Sequence, residues 1–427
     1  MAASLMSSLD CFHQWTSKYA TWSDLKAWLQ ATEKSVDIIE TEDSPYVILR
    51  TKKDSDVDTA NQSEVNQVCR SLVWNKDSNR PCCVAPFAAR RDQRIDGPMT
   101  LKVEDFVEGV MINVFRYRGD PLTHVATRSR MEADGGFYSE RSFRDLFDEA
   151  MKAKNTSLED ISKVIGEPDD NVEATFITLV MAHPEHRVVR SVEEANLWAI
   201  YRGVVKNDGV VEFYTDDLPP TWRPKTYDAA FEAADWAAVE SRCNEIKKGK
   251  PWYWQGLVVH AGLQRWRFRN GDHDRVRREL RGSESNSFGR FLRLRASKRV
   301  QEYLRIYSED NEAFQGFERD YRELTKVLYT WYCRCHKEHG VAFKAMPKSV
   351  QPLVFELHKY YLEKLRPASK SLRLAEVIQW ITDYLKGPFG VSNVLRFQLE
   401  TEKPPESKSP WPPVQANSPK SSTAQIE

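Results

Sequence analysis

Hydrophobic residues change their spacing near Ser283, and that change restricts the chain to two architectures placed in series. From Val65 to about Leu280 the apolar residues fall in short alternating runs separated by turns. The clearest strands are 110–115 and 256–259, and the clearest helices are 142–154 and 227–246. After Ser283 the spacing is helical. Leu324, Val327, Leu328, Trp331, Tyr332 and Cys335 make one stripe, and Val354, Leu357, His358, Tyr361, Leu362 and Leu365 a second. Leu374, Val377, Ile378, Ile381 and Leu385 make a third, which is enough for a small all-α domain. Near the N-terminus Leu9, Phe12, Trp15, Tyr19, Trp22, Leu25, Trp28 and Leu29 also sit at helical spacing. The expected organisation is α+β: a helical segment at 1–35, a strand-rich domain at 36–282, a helical domain at 283–399 and a tail at 400–427. The tail's six prolines and polar residues leave too little apolar surface to offset ordering entropy, so disorder is expected there. Residues 52–64, polar and rich in helix breakers, are expected to form a mobile loop.

Charge narrows the partners. Lys plus Arg and Asp plus Glu each number 62, so no whole-molecule field favours nucleic acid and any basic surface must be local. Such a surface exists at 264–305, where thirteen Arg or Lys stand against five Asp or Glu. Within it Arg265, Arg267 and Arg269 alternate with Trp266 and Phe268, which gives a strand one cationic face and one packing face. Arg275, Arg277 and Arg278 follow. A patch of this kind suits a phosphate backbone, with aromatics available to stack unpaired bases; the alternative is a solvated face whose cations pair with acidic neighbours. No run reaches the eighteen apolar residues of a membrane span. Seven cysteines without framework spacing suggest reduced thiols in a cytoplasmic or nuclear setting.

Several short motifs fall in order. Cys69-Arg70-Ser71-Leu72-Val73-Trp74 is followed by Val84-Ala85-Pro86-Phe87, then by Glu104-Asp105-Phe106-Val107-Glu108-Gly109-Val110. Ala126-Thr127-Arg128-Ser129-Arg130, the segment 176–189, Gln255-Gly256-Leu257-Val258-Val259 and Arg265-Trp266-Arg267-Phe268-Arg269-Asn270 complete the series. Together they resemble the motifs of the covalent nucleotidyltransferases, in the order seen in RNA ligases of the T-even phage type and their relatives in large DNA viruses. The resemblance covers about 65–281 and implies an antiparallel-sheet nucleotidyltransferase domain acting on RNA with ATP and Mg²⁺.

The reactive positions depart from the family pattern. Its signature strand reads Lys-x-Asp/Glu-Gly; here Glu108 and Gly109 remain, but Phe106 stands where the lysine would be. An amine can attack an α-phosphate and hold the nucleotide as a phosphoramidate, which a phenyl ring cannot do. Gln255 occupies the place of a glutamate, and its neutral amide weakens any Mg²⁺ site. A further glutamate of the family aligns with Val180. The paired lysines of the last motif become Arg267 and Arg269, which keep charge and add bidentate phosphate recognition. By resemblance, Glu108, Gly109, Arg128, Arg130, Arg267 and Arg269 would face nucleotide or phosphate, and Arg265, Arg275, Arg277 and Arg278 would face RNA. No metal ligand set is expected.

Three functions follow from this reading: a catalytically silent RNA-binding relative of the ligases, a working ligase with a relocated nucleophile, or a scaffold. Lys102 is the nearest amine in sequence, but four strand residues place it roughly 13 Å from Phe106. Phe106 could also be an ordinary core residue of an unrelated strand, on one face with Val110, Ile112 and Val114; Glu108 would then enter the same core. The scaffold reading uses the helical region, or the tail peptide Ser409-Pro410-Trp411-Pro412-Pro413, to dock a protein partner. Cys333, Cys335, His336 and His339 have the residue types of a zinc site, but Cys335 belongs to an apolar helical stripe that Cys333 does not share. His183-Pro184-Glu185-His186 reads as a turn and His358 as a core histidine.

Overall fold

The structure is a computed structural model that describes residues 5–52, 63–90, 93–95, 97–138, 141–215 and 218–399. The tail at 400–427 and residues 53–62 of the expected loop lie outside the described residues. The chain divides into two compact units between Ser285 and Asn286. The first carries the strands, in antiparallel sheets, and the second is helical.

Three sheets build the first unit. The six-stranded sheet runs β1 (Leu5–Leu9), β11 (Val211–Tyr214), β10 (Asn196–Lys206), β9 (Val172–Ala182), β7 (Val110–Tyr117) and β8 (Thr123–Ala126). A second sheet is the meander β2 (Val36–Glu40), β3 (Tyr46–Thr51), β4 (Leu72–Asn75) and β5 (Arg80–Cys83). The third has the order β12 (Thr226–Ala233), β6 (Met99–Asp105), β13 (Gly256–Ala261) and β14 (Gln264–Arg269). Strand alternation decides what each face buries. One face of the six-stranded sheet packs Phe115, Phe176 and Phe213 against Val47, Leu49 and Trp74 of the second sheet. Phe12, Trp15, Leu25 and Leu29 of α1 (Cys11–Lys18) and α2 (Trp22–Thr32) join that core, and α3 (Glu64–Val68) leads into β4.

The opposite face packs Ile112, Val114, Ile177 and Leu179 under α4 (Phe143–Ala153) and α5 (Leu158–Ile165). Both helices begin with a reciprocal cap, Ser142 with Asp145 and Ser157 with Asp160, legible in sequence as a serine three residues before an acid. The third sheet covers α6 (Trp236–Lys247) with Leu101, Val103, Leu257, Val259 and Trp266. α7 (Gly271–Arg275) follows β14 and continues into a widened turn at Val276–Arg281.

Four expectations change. The N-terminal residues hold the two helices, but Leu5–Leu9 is a strand paired with β11, so this segment is built into the first unit's core. The helix expected at 227–246 starts only at Trp236. Thr226–Ala233 pairs with β6 instead, because an edge of the third sheet outweighs the helix propensity of its alanines. The stretch 104–115 is not one strand: β6 ends at Asp105, and residues 106–109 cross to β7 in a different sheet. In the second unit Leu353 and Trp380 are buried, whereas Leu362 and Ile378 are exposed, which rotates two of the expected stripes by one position.

That second unit comprises α8 (Ser287–Ala296), α9 (Val300–Ile306), α10 (Asn311–Tyr332), α11 (Gln351–Tyr360), α12 (Leu374–Tyr384) and α13 (Gly390–Leu399). The stripe from Leu324 to Cys335 is buried along α10 and its continuation, Cys335 included. His358 is half-exposed and stacks on His336, with ring centroids 3.7 Å apart. Among the described residues no helix is long and apolar enough to cross a membrane.

One buried polar chain ties the first two sheets together. Thr178 Oγ1 donates to Asn113 Oδ1 (2.9 Å), Asn113 Nδ2 to Ser71 Oγ (3.2 Å), and Ser71 Oγ to the Thr127 carbonyl (3.2 Å). An Asn113→Ala change leaves Thr178 and Ser71 without their partner, and we expect a loss of about 1–3 kcal/mol in urea denaturation.

Candidate nucleic-acid interface

β14 alternates as its sequence demands. Trp266 and Phe268 enter the core with α6, so Arg265, Arg267 and Arg269 lie on the opposite face of the third sheet. Arg265 donates from Nε to the Phe87 carbonyl (2.7 Å), and Arg90 N donates to the Arg265 carbonyl (2.8 Å). These bonds fix the strand against the segment leaving β5. Arg70, just before β4, lies within electrostatic reach of Arg265 and Arg128, and Arg128 within reach of Arg50.

The guanidiniums in this recess carry like charge, and the acid that acts on Arg128, Asp37, is itself paired with Arg50 at 3.4 Å. Arg128 donates to the Thr51 carbonyl (2.8 Å), while its Nε is buried with no partner. Arg70, Arg128 and Arg265 form no ion pair among the described residues. Burial, followed by repulsion from Arg265 and Arg128, pushes Arg70 down to about 9. Burial and Arg267 push Arg265 down to about 10. Arg128 is lowered by burial and by Arg50, with Asp37 opposing. All three stay protonated at neutral pH, so the folded chain holds these charges at a cost in repulsion and lost hydration.

Phe106 lies next to this row. Its backbone N–H donates to the Gly256 carbonyl (2.9 Å), extending the pairing of β6 with β13. The guanidiniums of Arg267 and Arg269 lie over its ring at 5.8 and 5.4 Å from the centroid, contacts of the cation–π kind. Phe106 is therefore not in the core with Val110 and Ile112, and the position is aromatic where an amine was the family's expectation.

Several expected site residues have other partners. Glu108 Oε1 accepts the backbone N–H groups of Val189 (2.9 Å) and Arg190 (3.1 Å), and Oε2 meets His273 Nε2 at 2.5 Å. Its lone pairs staple the 106–109 crossing to α7 and to the loop after β9, so it serves as a structural carboxylate at the edge of the cavity. Gly109 is required by close approach: a Cβ there would stand 2.1 Å from the Met181 carbonyl oxygen. Gly256 combines a φ of +132° with a Cβ position 2.2 Å from the Phe268 carbonyl oxygen.

Asp274 receives Arg269 (3.1 Å), Arg277 (3.4 Å) and Arg278 (2.7 Å), one carboxylate among three cations. Arg269 is lowered by burial and by Arg277, with Asp274 opposing. Arg130 and Arg275 are exposed. Val180 lies on β9 opposite Met111 and Trp198, a hydrophobic position with no carboxylate.

Lys102 lines a smaller cavity together with Glu104, His260 and Arg265. Its Nζ is 2.5 Å from Glu104 Oε1, and Glu104 Oε2 is 3.4 Å from His260 Nε2. Burial would raise the Glu104 carboxyl, but His260 and Lys102 hold it below the usual range. The donors do not suit Mg²⁺: Glu104 and Glu108 are already engaged and Gln255 is neutral, its Oε1 buried without a hydrogen-bond partner. Among the described residues no group of three His, Cys, Asp or Glu side chains could hold a metal. His183 and His186 flank the expected turn: His183 caps Pro184–His186 and meets Glu149 at 3.0 Å, while His186 is buried among Tyr138 and Phe143.

Sequence reasoning passed over a second wall. A cavity of about 850 Å³ is lined by Phe106, Glu108 and Gln255, and also by Trp198, Lys225, Lys250, Trp252, Tyr253 and Trp254. Three aromatics in succession between Gly249 and Gly256 were the available signal.

No protein-family profile and no curated protein matches the chain. Among solved structures it is similar to an archaeal ATP-dependent RNA ligase, form 1, at 10% identity and a TM-score of 0.36, over 72% of this chain and 73% of that one. A likeness this distant bears on neither substrate nor chemistry.

Two substitutions separate structural from ligand-facing roles. Glu108→Ala removes charged hydrogen bonds and is expected to cost about 1.5–3 kcal/mol in denaturant unfolding. Arg70→Met keeps the apolar stem and removes a repelled charge. It should raise the melting temperature by about 2–4 °C while weakening binding of inorganic polyphosphate. A lower melting temperature would mean that the cation has a stabilising partner after all.

Proposed function

We propose that this chain is an RNA-ligase-like protein that binds RNA in the arginine-lined recess and forms no covalent nucleotide intermediate. The observation that carries the reading is the set Arg70, Arg128 and Arg265, held partly out of water within electrostatic reach of one another and forming no ion pair among the described residues. Burying like charge without a partner costs stability, and a bound phosphate returns that cost as affinity. Arg267 and Arg269 extend the row across Phe106. Guanidiniums suit this task because their planar fork binds phosphate oxygens in pairs. Phe106 and Gln255 together take away the amine and one carboxylate that nucleotide transfer needs in the resembling family. A bound ATP would meet the arginines without a fitted Mg²⁺ site.

A second reading, an active ligase with a relocated nucleophile, has its candidates in Lys225 and Lys250, the amines that line the cavity beside Phe106. Incubation with α-labelled ATP or GTP and Mg²⁺, followed by denaturation, tests it. The expected result is an unlabelled polypeptide; a label abolished by Lys250→Arg or Lys225→Arg would establish the second reading. Binding is tested by titrating single-stranded RNA against wild type and an Arg267→Glu/Arg269→Glu variant. Reversing two phosphate-facing charges should weaken binding at least about tenfold, or ~1.4 kcal/mol. Equal affinity of the two proteins, or no binding by either, overturns the proposal.

A further inference from the structure

We propose that the 249–255 loop is a base-stacking subsite, in which Trp252 and Tyr253 receive an unpaired base of single-stranded RNA and Lys250 receives its phosphate. The inference rests on the RNA-binding reading above and adds to it a second wall, on which none of the expected RNA contacts lies. Trp252 and Tyr253 are each 41% exposed, although they sit at the mouth of a large cavity and not on a featureless surface. Exposed aromatics placed together at a cavity mouth mark a binding surface. They meet edge to face, with centroids 5.7 Å apart, so each leaves a ring face open to a partner.

The loop is held before any ligand arrives. Asn270 Nδ2 donates to the carbonyls of Pro251 and Trp252, both at 3.2 Å, and the Trp254 N–H closes a turn onto Pro251 at 3.0 Å. Trp254 Nε1 and the Tyr227 hydroxyl both donate to Asp105 Oδ1 at 2.9 Å, anchoring the rear of the loop to the end of β6. A fixed platform spends little ordering entropy on binding.

Lys250 supplies charge at the same wall. Its Nζ donates to the Tyr227 hydroxyl (2.6 Å) and lies over the rings of Tyr227 (4.7 Å) and Trp254 (5.4 Å), and it forms no ion pair among the described residues. An ammonium steadied by aromatic faces keeps its charge available to an incoming anion. Adjacent stacking faces and a cation are the chemistry of an unpaired nucleotide, and stacking is tolerant of base identity because every base has a π-face. A free mononucleotide presents the same groups, so the test must separate the two sources.

The experiment measures binding of a ten-nucleotide oligoadenylate and of an abasic ribose–phosphate chain of equal length. The proteins are wild type, a Trp252→Leu/Tyr253→Leu variant and a Trp252→Phe/Tyr253→Phe variant. Leucine keeps apolar bulk and so protects the fold, while phenylalanine keeps the π-face. The leucine pair should bind oligoadenylate roughly 5- to 100-fold more weakly than wild type, and the phenylalanine pair within about threefold of it. Affinity for the abasic chain should be unchanged throughout. Equal losses for both ligands in the leucine pair, or a wild type that does not distinguish them, overturns the stacking subsite while leaving the arginine recess intact. Displacement of oligoadenylate by an equal concentration of ATP also overturns it, since the pocket would then serve a free nucleotide. A wild type that binds neither chain defeats the RNA-binding reading itself.

Discussion

Three arginines, Arg70, Arg128 and Arg265, are held partly out of water in the first unit, lowered first by burial and then by neighbouring cations. Two unit charges 4 Å apart repel by about 4 kcal/mol at an effective dielectric of 20, so a fold keeps such neighbours apart or places acids between them. Here Arg70 precedes β4, Arg128 follows β8 and Arg265 lies on β14, so the second, first and third sheets each deliver one cation to the same recess. The acids nearby have other partners: Asp37 pairs with Arg50, Glu104 with Lys102 and His260, Glu108 with two amides and His273, and Asp274 with three other arginines. An arrangement that costs stability in the free protein makes sense when a polyanion completes it.

Phe106 takes its meaning from that constraint. A lysine there would add a further cation beside Arg267 and Arg269, whereas a ring offers both guanidiniums a negative face. The ring at Phe106 and the two guanidiniums above it thus form one cation–π cluster beside the recess. Glu108 and Gly109 each meet a structural need. The crossing between two sheets needs a carboxylate to collect the 189–190 amides and His273, and it needs a residue without a side chain against Met181.

The sequence exposed a good part of this. Alternation at Arg265, Trp266, Arg267, Phe268 and Arg269 correctly separated a cationic face from a packing face, because period-2 side-chain direction is a local property of a strand. The helix expected at 142–154 was also met by α4, while α5 went unread although Ser157 and Asp160 carry the same cap spacing. What failed were inferences that needed a partner at long range. Nothing near Thr226 tells that its alanine-rich run will pair with β6, and nothing near Glu108 reveals His273, which lies far along the chain. The break after Asp105 was hidden because residues 104–115 remain apolar enough to read as continuous. Arg70 was visible within a motif, yet its importance depends on Arg128 and Arg265 meeting it in space. The three aromatics before Gln255 were in plain view and went unused, since only the cavity shows that Trp252 and Tyr253 stay exposed.

The most direct measurement is the salt dependence of RNA binding by the whole chain. Each phosphate neutralised on a single strand contributes about −0.7 to the slope of log affinity against log salt concentration. Four or five recess arginines therefore predict a slope near −3, and Arg70→Met should make it shallower by about 0.7. A slope near zero, or one that Arg70→Met leaves unchanged, would contradict the claim that these arginines are held in place for a phosphate chain.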